Sequence, residues 1–135
     1  MNRLTTALLV LLLGLTALPA AAQPVPSPVW RANIADHLAL SLRSPRPGVR
    51  AATMQLILDL DRQRPDLDLS AAVDPLLDIY GGDRDASFRL MALSALRALE
   101  NPYGMERLAD LVQHERSPTV RRVTLKTLAD YRNGL

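Results

Sequence analysis

Few side chains in this sequence have the type and spacing that a reactive site requires. The two histidines, His37 and His114, lie far apart and no cysteine accompanies them, whereas a zinc site normally needs three or four converging ligands. The triplet His114-Glu115-Arg116 lacks the second histidine of the zinc-protease motif. No serine lies in a strand-to-helix elbow, and there is no glycine-rich phosphate loop. We therefore expect no metal, no cofactor and no catalysis.

A charged segment, in which two arginines lie between two pairs of aspartates, is the first candidate for binding: Asp59, Asp61, Arg62, Arg64, Asp66 and Asp68. Aspartates spaced by two suggest calcium, but an EF-hand loop also needs a central glycine and a terminal glutamate, and neither is in register here. The simpler interpretation is that Asp66 or Asp68 caps a helix that begins before Ala71. Arg62 and Arg64 can donate charge-assisted hydrogen bonds to acidic groups of a protein partner.

Three arginines share one position in a nine-residue pattern that begins at Val49, Phe88 and Val120: Arg50, Arg89 and Arg121. In each copy a large apolar residue comes first and the arginine second. A small residue lies four positions after the first residue, and a small or apolar residue and an aliphatic one lie seven and eight positions after it. In stacked repeats these residues would form an arginine ladder. We expect each guanidinium to pair with a carboxylate or carbonyl of the neighbouring turn, the alternative being a stripe of arginines that faces a ligand.

The pattern has helical spacing, and no stretch alternates with period two, so we expect an all-α fold of three helical pairs. The second helices contain the pattern and are expected over Pro47 to about Leu60, Ala86 to about Leu99, and Pro118 to about Asn133. The first helices carry the apolar faces Trp30 to Leu42, Val73 to Tyr80, and Leu108 to Val112.

The ends of these helices follow from local signals. We expect Gly81-Gly82 to stop the first helix of the second pair in the left-handed conformation, and Asp85 and Ser117 to begin the second helices that follow them. The third pair is expected to begin after the segment Asn101 to Gly104.

Burial is expected along the repeated positions of the second helices: Leu56, Ile57, Phe88, Ala92, Leu96, Val120 and Leu128. Phe88 is expected to be the largest core side chain of the central repeat. The last helix carries apolar residues around more than one face, since Val123, Leu125, Leu128 and Tyr131 cannot all point inward. This arrangement predicts weak self-association or partner contact through the C-terminal helix.

The repeated pattern, preceded by Pro47, by Asp83 and Asp85, or by Pro118, resembles the second helix of HEAT repeats, particularly the compact bacterial kind. Threonine replaces the usual alanine at Thr53, Thr124 and Thr127. Tetratricopeptide repeats have a similar period, but their Trp, Leu-Gly and Tyr signature is absent. The resemblance covers the HEAT-like repeat domain, residues 29–135, and implies a short right-handed α-solenoid of three antiparallel helix pairs whose second helices line a concave face that grips other proteins.

The spacing of the pattern points to one lengthened connection. It is 39 residues from Val49 to Phe88 but 32 from Phe88 to Val120, and the seven extra residues fall around Asp61 to Ser70. Insertions in a solenoid lie on one face, which is often the binding face. The segment from Arg62 to Asp68 is expected to add nothing to the stack that Asn101 to Gly104 does not provide with fewer residues.

The N-terminus predicts export. Arg3, an uncharged leucine-rich stretch from Leu4 to Leu18, and Pro19 to Ala22 match the three regions of a Sec-type signal peptide over residues 1–22, with cleavage before Gln23. The alternative is an uncleaved anchor, although the apolar core is shorter than the roughly 20 residues that span a bilayer. No cysteine follows the cleavage site, so a lipoprotein is excluded. Residues 23–28, with three alternating prolines, are expected to form an extended tether.

The balance of charged residues reduces the number of functions that the sequence allows. Beyond residue 22 the chain carries 15 basic and 14 acidic residues, which are interleaved rather than clustered, so nucleic-acid binding is not expected. The sequence therefore predicts a periplasmic or secreted, non-catalytic protein that binds a protein partner as an adaptor or scaffold and meets the membrane only through its signal sequence. The alternatives are a membrane-anchored regulatory or sensory module and, from the resemblance, a chromophore-attaching lyase.

Overall fold

A computed structural model describes residues 28–135, which form six α-helices and no β-strand within that range. The helices are α1 Pro28–Leu42, α2 Pro47–Gln63, α3 Val73–Gly82, α4 Ala86–Leu99, α5 Pro102–Leu111 and α6 Pro118–Arg132. A short 3-10 turn, Ser70–Ala72, precedes α3, and a second, Val112–His114, follows α5. The all-α prediction is therefore confirmed for the described residues.

Proline and capping side chains begin most of these helices. A proline lies in the first turn of α2, α5 and α6, where its missing amide hydrogen has no partner to lose. Asp85 accepts a hydrogen bond from the amide of Ser87 at 2.8 Å, and Ser117 accepts one from the amide of Val120 at 3.3 Å. The predicted helix starts at these two residues are confirmed. Asn101 caps α5 in the same way, through the amide of Gly104.

Three local predictions are wrong at proline and glycine residues. Pro28 belongs to α1 rather than to an extended tether, and Pro102 opens α5 rather than preceding it, because the first helical turn tolerates proline. Helix α3 ends at Gly82 as expected, but neither Gly81 nor Gly82 has a positive φ; α4 instead ends in the left-handed conformation at Glu100, with φ 46°. Gly81 leaves room for Leu111, whose side chain lies 3.4 Å from where a Cβ would stand.

The helices pack in two rows. Consecutive helices contact each other within each expected pair, α1 with α2, α3 with α4, and α5 with α6. Contacts also run along the first helices, from α1 to α3 to α5, and along the second helices, from α2 to α4 to α6. A single apolar core fills the space between the rows. Among the described helices, α2 therefore has a neighbour on one side only in its own row, and so does α6.

Most of the predicted core residues are buried, and two are not. Ile57, Ala92, Leu96, Val120 and Leu128 are buried as expected. The prediction is wrong for Leu56, which is 44% exposed because the row of second helices described here starts at α2. It is also wrong for Phe88, which is only partly buried, so that the largest fully buried side chain is Tyr80 on α3.

The predictions for the N-terminus lie mostly outside the described residues, because the expected signal peptide, residues 1–22, and residues 23–27 of the expected tether precede Pro28. Within the described range, no helix has the length and apolar character needed to cross a bilayer.

Candidate functional site

The site is built on the residue that stands five positions before each copy of the repeated pattern. These three residues, Ser44, Asp83 and Glu115, lie in the connections that lead into α2, α4 and α6. Each accepts a hydrogen bond from the backbone amide two residues further on. The donor-to-acceptor distances are 3.2 Å at Ser44, 2.9 Å at Asp83 and 2.7 Å at Glu115. The three connections therefore have the same local construction, but only the second and third carry a carboxylate.

Arg50 joins the first connection to the second. Its guanidinium donates to the backbone oxygen of Ser44 at 3.1 Å and to Oδ2 of Asp83 at 3.0 Å. The same group lies 5.1 Å from the centroid of the Phe88 ring, within the range of a cation–π contact. Phe88 therefore lies at the edge of the core and also packs against the guanidinium of this arginine.

Arg89 repeats this arrangement one pair further along. Nη1 donates to the backbone oxygens of Asp83 at 2.8 Å and Arg84 at 3.1 Å. Nε and Nη2 donate to the two carboxylate oxygens of Glu115, at 3.0 and 2.9 Å. This bidentate geometry is the strongest that an arginine and a carboxylate can form. The Glu115 side chain is 3% exposed, so the ion pair is almost fully removed from water.

The environment of Glu115 fixes its charge. Burial acts to raise the pKa of the carboxyl group, but the hydrogen bonds from Arg89 and from the amide of Ser117 outweigh it and hold the pKa below its usual value. The carboxylate therefore stays ionised at neutral pH, and its role is to receive the arginine of the preceding pair.

Arg121 holds the same place in α6 but has no such partner. Its side chain is exposed and makes no hydrogen bond or ion pair with any described residue. The reason lies in the packing, since α6 contacts α4 and α5 and no described helix packs on its other side. Of the three ladder residues, the structure thus engages two between helical pairs and leaves one open to solvent.

An apolar residue four positions after each ladder arginine follows the same trend. Met54 on α2 is 0% exposed and Leu93 on α4 is 2% exposed, whereas Leu125 on α6 is 47% exposed. The next residue along, which is Gln55, Ser94 or Lys126, is exposed in all three helices. The exposure of Leu125 therefore reflects the missing neighbour of α6 rather than the position itself. We call Arg121 and Leu125 together the end face of α6.

The charged segment is a separate place in the molecule, and its side chains largely bind one another. Arg64 donates to both carboxylate oxygens of Asp66, at 2.9 and 3.0 Å, and its guanidinium lies 5.8 Å from the ring centroid of Trp30. Asp66 also lies 3.5 Å from the guanidinium of Arg31 on α1. Arg62 pairs with Asp59 within α2. Asp68 accepts a hydrogen bond from the amide of Ser70 at 2.9 Å, but the prediction that Asp66 or Asp68 caps a helix is wrong, because neither the 3-10 turn nor α3 has a side-chain cap.

These contacts differ from the expectation that the long connection does nothing for the stack. Arg64 and Asp66 fasten it to α1, while Leu69 is buried in the core and Leu67 packs against it. The connection is therefore part of the packing of α1. The candidate residues Arg62, Arg64, Asp66 and Asp68 do not meet the arginine ladder.

A polar groove lies beside the Arg89 and Glu115 pair. It has a volume of about 540 Å³ and lies between the connections that lead into α4 and α6. Its lining includes Arg84, His114 and Arg116. Sequence reasoning did not identify this groove. The only signal for the groove in the sequence was that these residues lie within three positions of Asp85 or Ser117, the residues that cap α4 and α6.

No protein-family model, no curated protein and no solved structure matches the chain.

Proposed function

We propose that this protein is an exported, non-catalytic helical-repeat protein that resembles compact HEAT repeats and binds a protein partner as an adaptor or scaffold in the bacterial envelope. The observation that carries the proposal is the arginine ladder. The same contact recurs from one helical pair to the next, and the last position of the series is open.

The contacts favour a repeat architecture over a bundle of unrelated helices. Arg50 and Arg89 each donate to a backbone oxygen six residues earlier. Each also donates to a carboxylate in the connection between the two helices of the following pair. In the proposed short right-handed α-solenoid of three antiparallel pairs, each unit buries its apolar face against its neighbours. Such a protein offers surfaces for binding rather than a pocket for chemistry.

The proposed location is the periplasm or the outside of the cell. It rests on the sequence of residues 1–22 alone, which has the form of a Sec-type signal peptide without a lipoprotein cysteine. If the segment is retained, the same domain would instead act as a membrane-anchored regulatory or sensory module. Sequencing the N-terminus after export separates the two, since an exported chain starts at Gln23 and an anchored one retains the apolar segment.

Co-purification from an envelope extract tests the adaptor role. The bait should retain a partner that an unrelated exported helical protein does not. Two double variants divide the candidate surfaces, Arg62→Ala with Arg64→Ala in the charged segment and Arg121→Glu with Leu125→Glu on the end face. Loss of the partner in one of them, with unchanged circular dichroism, would locate the binding surface. A bait that enriches nothing over the unrelated protein would contradict the proposed function.

A further inference from the structure

We propose that the end face of α6 is an unfilled repeat interface that docks the acidic end of a helical pair belonging to another protein. This inference rests on the proposed function and names the surface and the chemistry of the partner. Its two components are the guanidinium of Arg121 and the exposed side chain of Leu125.

The internal interfaces of the molecule show what this face is built to receive. At the equivalent positions of α2, Arg50 binds Asp83 of the next pair and Met54 is fully buried. In α4, Arg89 binds Glu115 of the next pair and Leu93 is buried. The end face of α6 presents an arginine and an apolar side chain at the same separation in sequence. Its complement is therefore a carboxylate beside an apolar surface.

The geometry further specifies where the carboxylate of the partner stands. Asp83 and Glu115 each lie just before a helix, and each also accepts the backbone amide two residues further on. That second bond fixes the carboxylate before the arginine arrives, which lowers the entropy cost of forming the pair. We therefore infer a partner whose aspartate or glutamate lies two residues before the N-cap of a helix and accepts a hydrogen bond from the amide of that N-cap residue.

Charge favours the same kind of partner. Helix α6, Pro118–Arg132, contains four basic side chains, Arg121, Arg122, Lys126 and Arg132, against the single acid Asp130. Helix α2 by contrast carries two basic and two acidic residues. A positive helix steers an acidic surface toward it and disfavours basic ones.

A second copy of this chain is a poorer occupant. The opposite end of the row, on α2, exposes Val49 and Leu56, which could cover Leu125. The residue there that corresponds to Asp83 and Glu115 is Ser44, which has no charge to pair with Arg121. Head-to-tail stacking of copies would also give an open filament rather than a closed assembly.

An added helical pair provides a defined probe of the end face. In the extended chain, Gly134 and Leu135 are replaced by a second copy of residues 102–135, so that Asn133 takes the capping place of Asn101. The chain has no cysteine, so Leu125→Cys introduces a single site for alkylation. Lys126→Cys is the matched control, because its position is exposed in every repeat.

We expect the added pair to slow alkylation at position 125 by about tenfold or more, and to leave position 126 within about twofold of its rate in the unextended chain. Replacing Arg121 by glutamine, or the glutamate of the added copy that corresponds to Glu115 by glutamine, should return most of the rate. Circular dichroism should first show that the added pair is helical. If Leu125→Cys is then alkylated at the same rate with and without the pair, the inference is wrong. If neither glutamine variant changes the alkylation rate of position 125 in the extended chain, the ionic part of the inference is wrong.

Cross-linking in the producing cell then tests the partner. A photoreactive residue at position 125 should link to another protein, the same residue at position 126 should not, and Arg121→Glu should abolish the link. A link only to a second copy of this chain would contradict the inference. If position 125 gives no link while co-purification still enriches a partner, the inference fails and the proposed function stands. If co-purification also fails, both are wrong.

Discussion

Arg50, Arg89 and Arg121 have one position in the sequence pattern and three different environments. The carboxylates that receive the first two lie 33 and 26 residues further along the chain, whereas the third is exposed to solvent. The expected role, pairing with a carboxylate or carbonyl of a neighbour, describes Arg50 and Arg89. Whether Arg121 meets a ligand remains a prediction. A residue type and its spacing define what a side chain can bond, but a neighbouring helix decides whether it does.

A glutamine series at the three ladder positions measures this difference. Arg89→Gln should lower the free energy of unfolding by about 2–4 kcal/mol, because it leaves the carboxylate of Glu115 buried without its partner. Arg50→Gln should cost about 1–2 kcal/mol, since Asp83 is less buried. Arg121→Gln should change the value by less than about 0.5 kcal/mol. Urea denaturation of the three variants gives the order, and equal losses at all three positions would refute the ladder.

Acid should weaken the same contact. Folding lowers the pKa of Glu115, so the ionised form stabilises the folded state above the usual pKa of the group, and that stabilisation is lost as the pH falls through the lowered value. Between about pH 5 and pH 3 the wild-type chain should therefore lose more stability than Glu115→Gln, which has no such proton to bind. Parallel slopes of unfolding free energy against pH for the two proteins would contradict this account.

At the scale of helices, equivalent positions differ in burial because no helix within residues 28–135 packs on one side of α2 or of α6. Leu56 is exposed on α2, although the corresponding Ala95 is buried on α4. Leu125 is exposed on α6 for the converse reason. A polar contact also links the two rows at α6, where the hydroxyl groups of Tyr80 and Thr124 lie 2.8 Å apart in the core. Thr124, which replaces the usual alanine of the pattern, thus forms a hydrogen bond with Tyr80, 44 positions earlier in the sequence.

Truncation of the matched pair Met54 and Leu125 separates burial from sequence position. Met54→Ala should destabilise the fold by about 2–5 kcal/mol, because the side chain is fully enclosed and its removal leaves a cavity. Leu125→Ala should cost less than about 1 kcal/mol in the absence of a partner, since nearly half of its surface already meets water. Thermal unfolding of both variants measures the two losses of stability. A loss for Leu125→Ala as large as that for Met54→Ala would mean that Leu125 is covered by a neighbour.

Shortening the connection between α2 and α3 tests the finding that it fastens α1. Replacing residues 62–68 by a short link should lower the free energy of unfolding by about 2 kcal/mol, because it removes the contacts of Arg64 with Trp30 and of Leu67 with the core. Arg62→Gln is the control and should be neutral, since that exposed side chain pairs only within its own helix. Unchanged melting of the shortened chain would show that the extra length is free for recognition.

At the scale of the whole molecule, the two ends of the row of second helices differ in charge. The end face of α6 presents Arg121 with Leu125, and the end at α2 presents Val49 and Leu56 next to the neutral Ser44. The apolar halves of the two ends are compatible, but the ionic halves are not. The missing carboxylate at Ser44 therefore acts against stacking of one copy on another.

Supplying that carboxylate should change the oligomeric state. Ser44→Glu should make the chain associate head to tail in a concentration-dependent way, with an affinity about tenfold or more above that of the unmodified chain. Adding Arg121→Glu should reverse the effect, because two carboxylates would then face each other. Sedimentation velocity over a range of concentrations measures both. Association that survives Arg121→Glu would indicate a different contact, such as the weak self-association through α6 that the apolar pattern predicts.

The sequence by itself determined the helices of this protein, because capping side chains, first-turn prolines and apolar spacing act within a few residues. Asp85, Ser117 and Pro118 are sufficient to begin α4 and α6, and the repeated pattern marks the second helices. The sequence also indicated the chemistry of the ladder arginines. It could not indicate that Pro102 lies inside a helix, since proline is compatible with both the first turn and the loop before it.

Only the tertiary structure decided which of these side chains are satisfied. The burial of Ile57 and the exposure of Leu56, which are adjacent in sequence, depend on which side of α2 another helix occupies. The contact of Arg64 with the Trp30 ring, and the pairing of Arg89 with Glu115, join segments that lie far apart in the sequence. Burial and ion pairing are properties of neighbours, and for the end face of α6 no described part of the chain provides one.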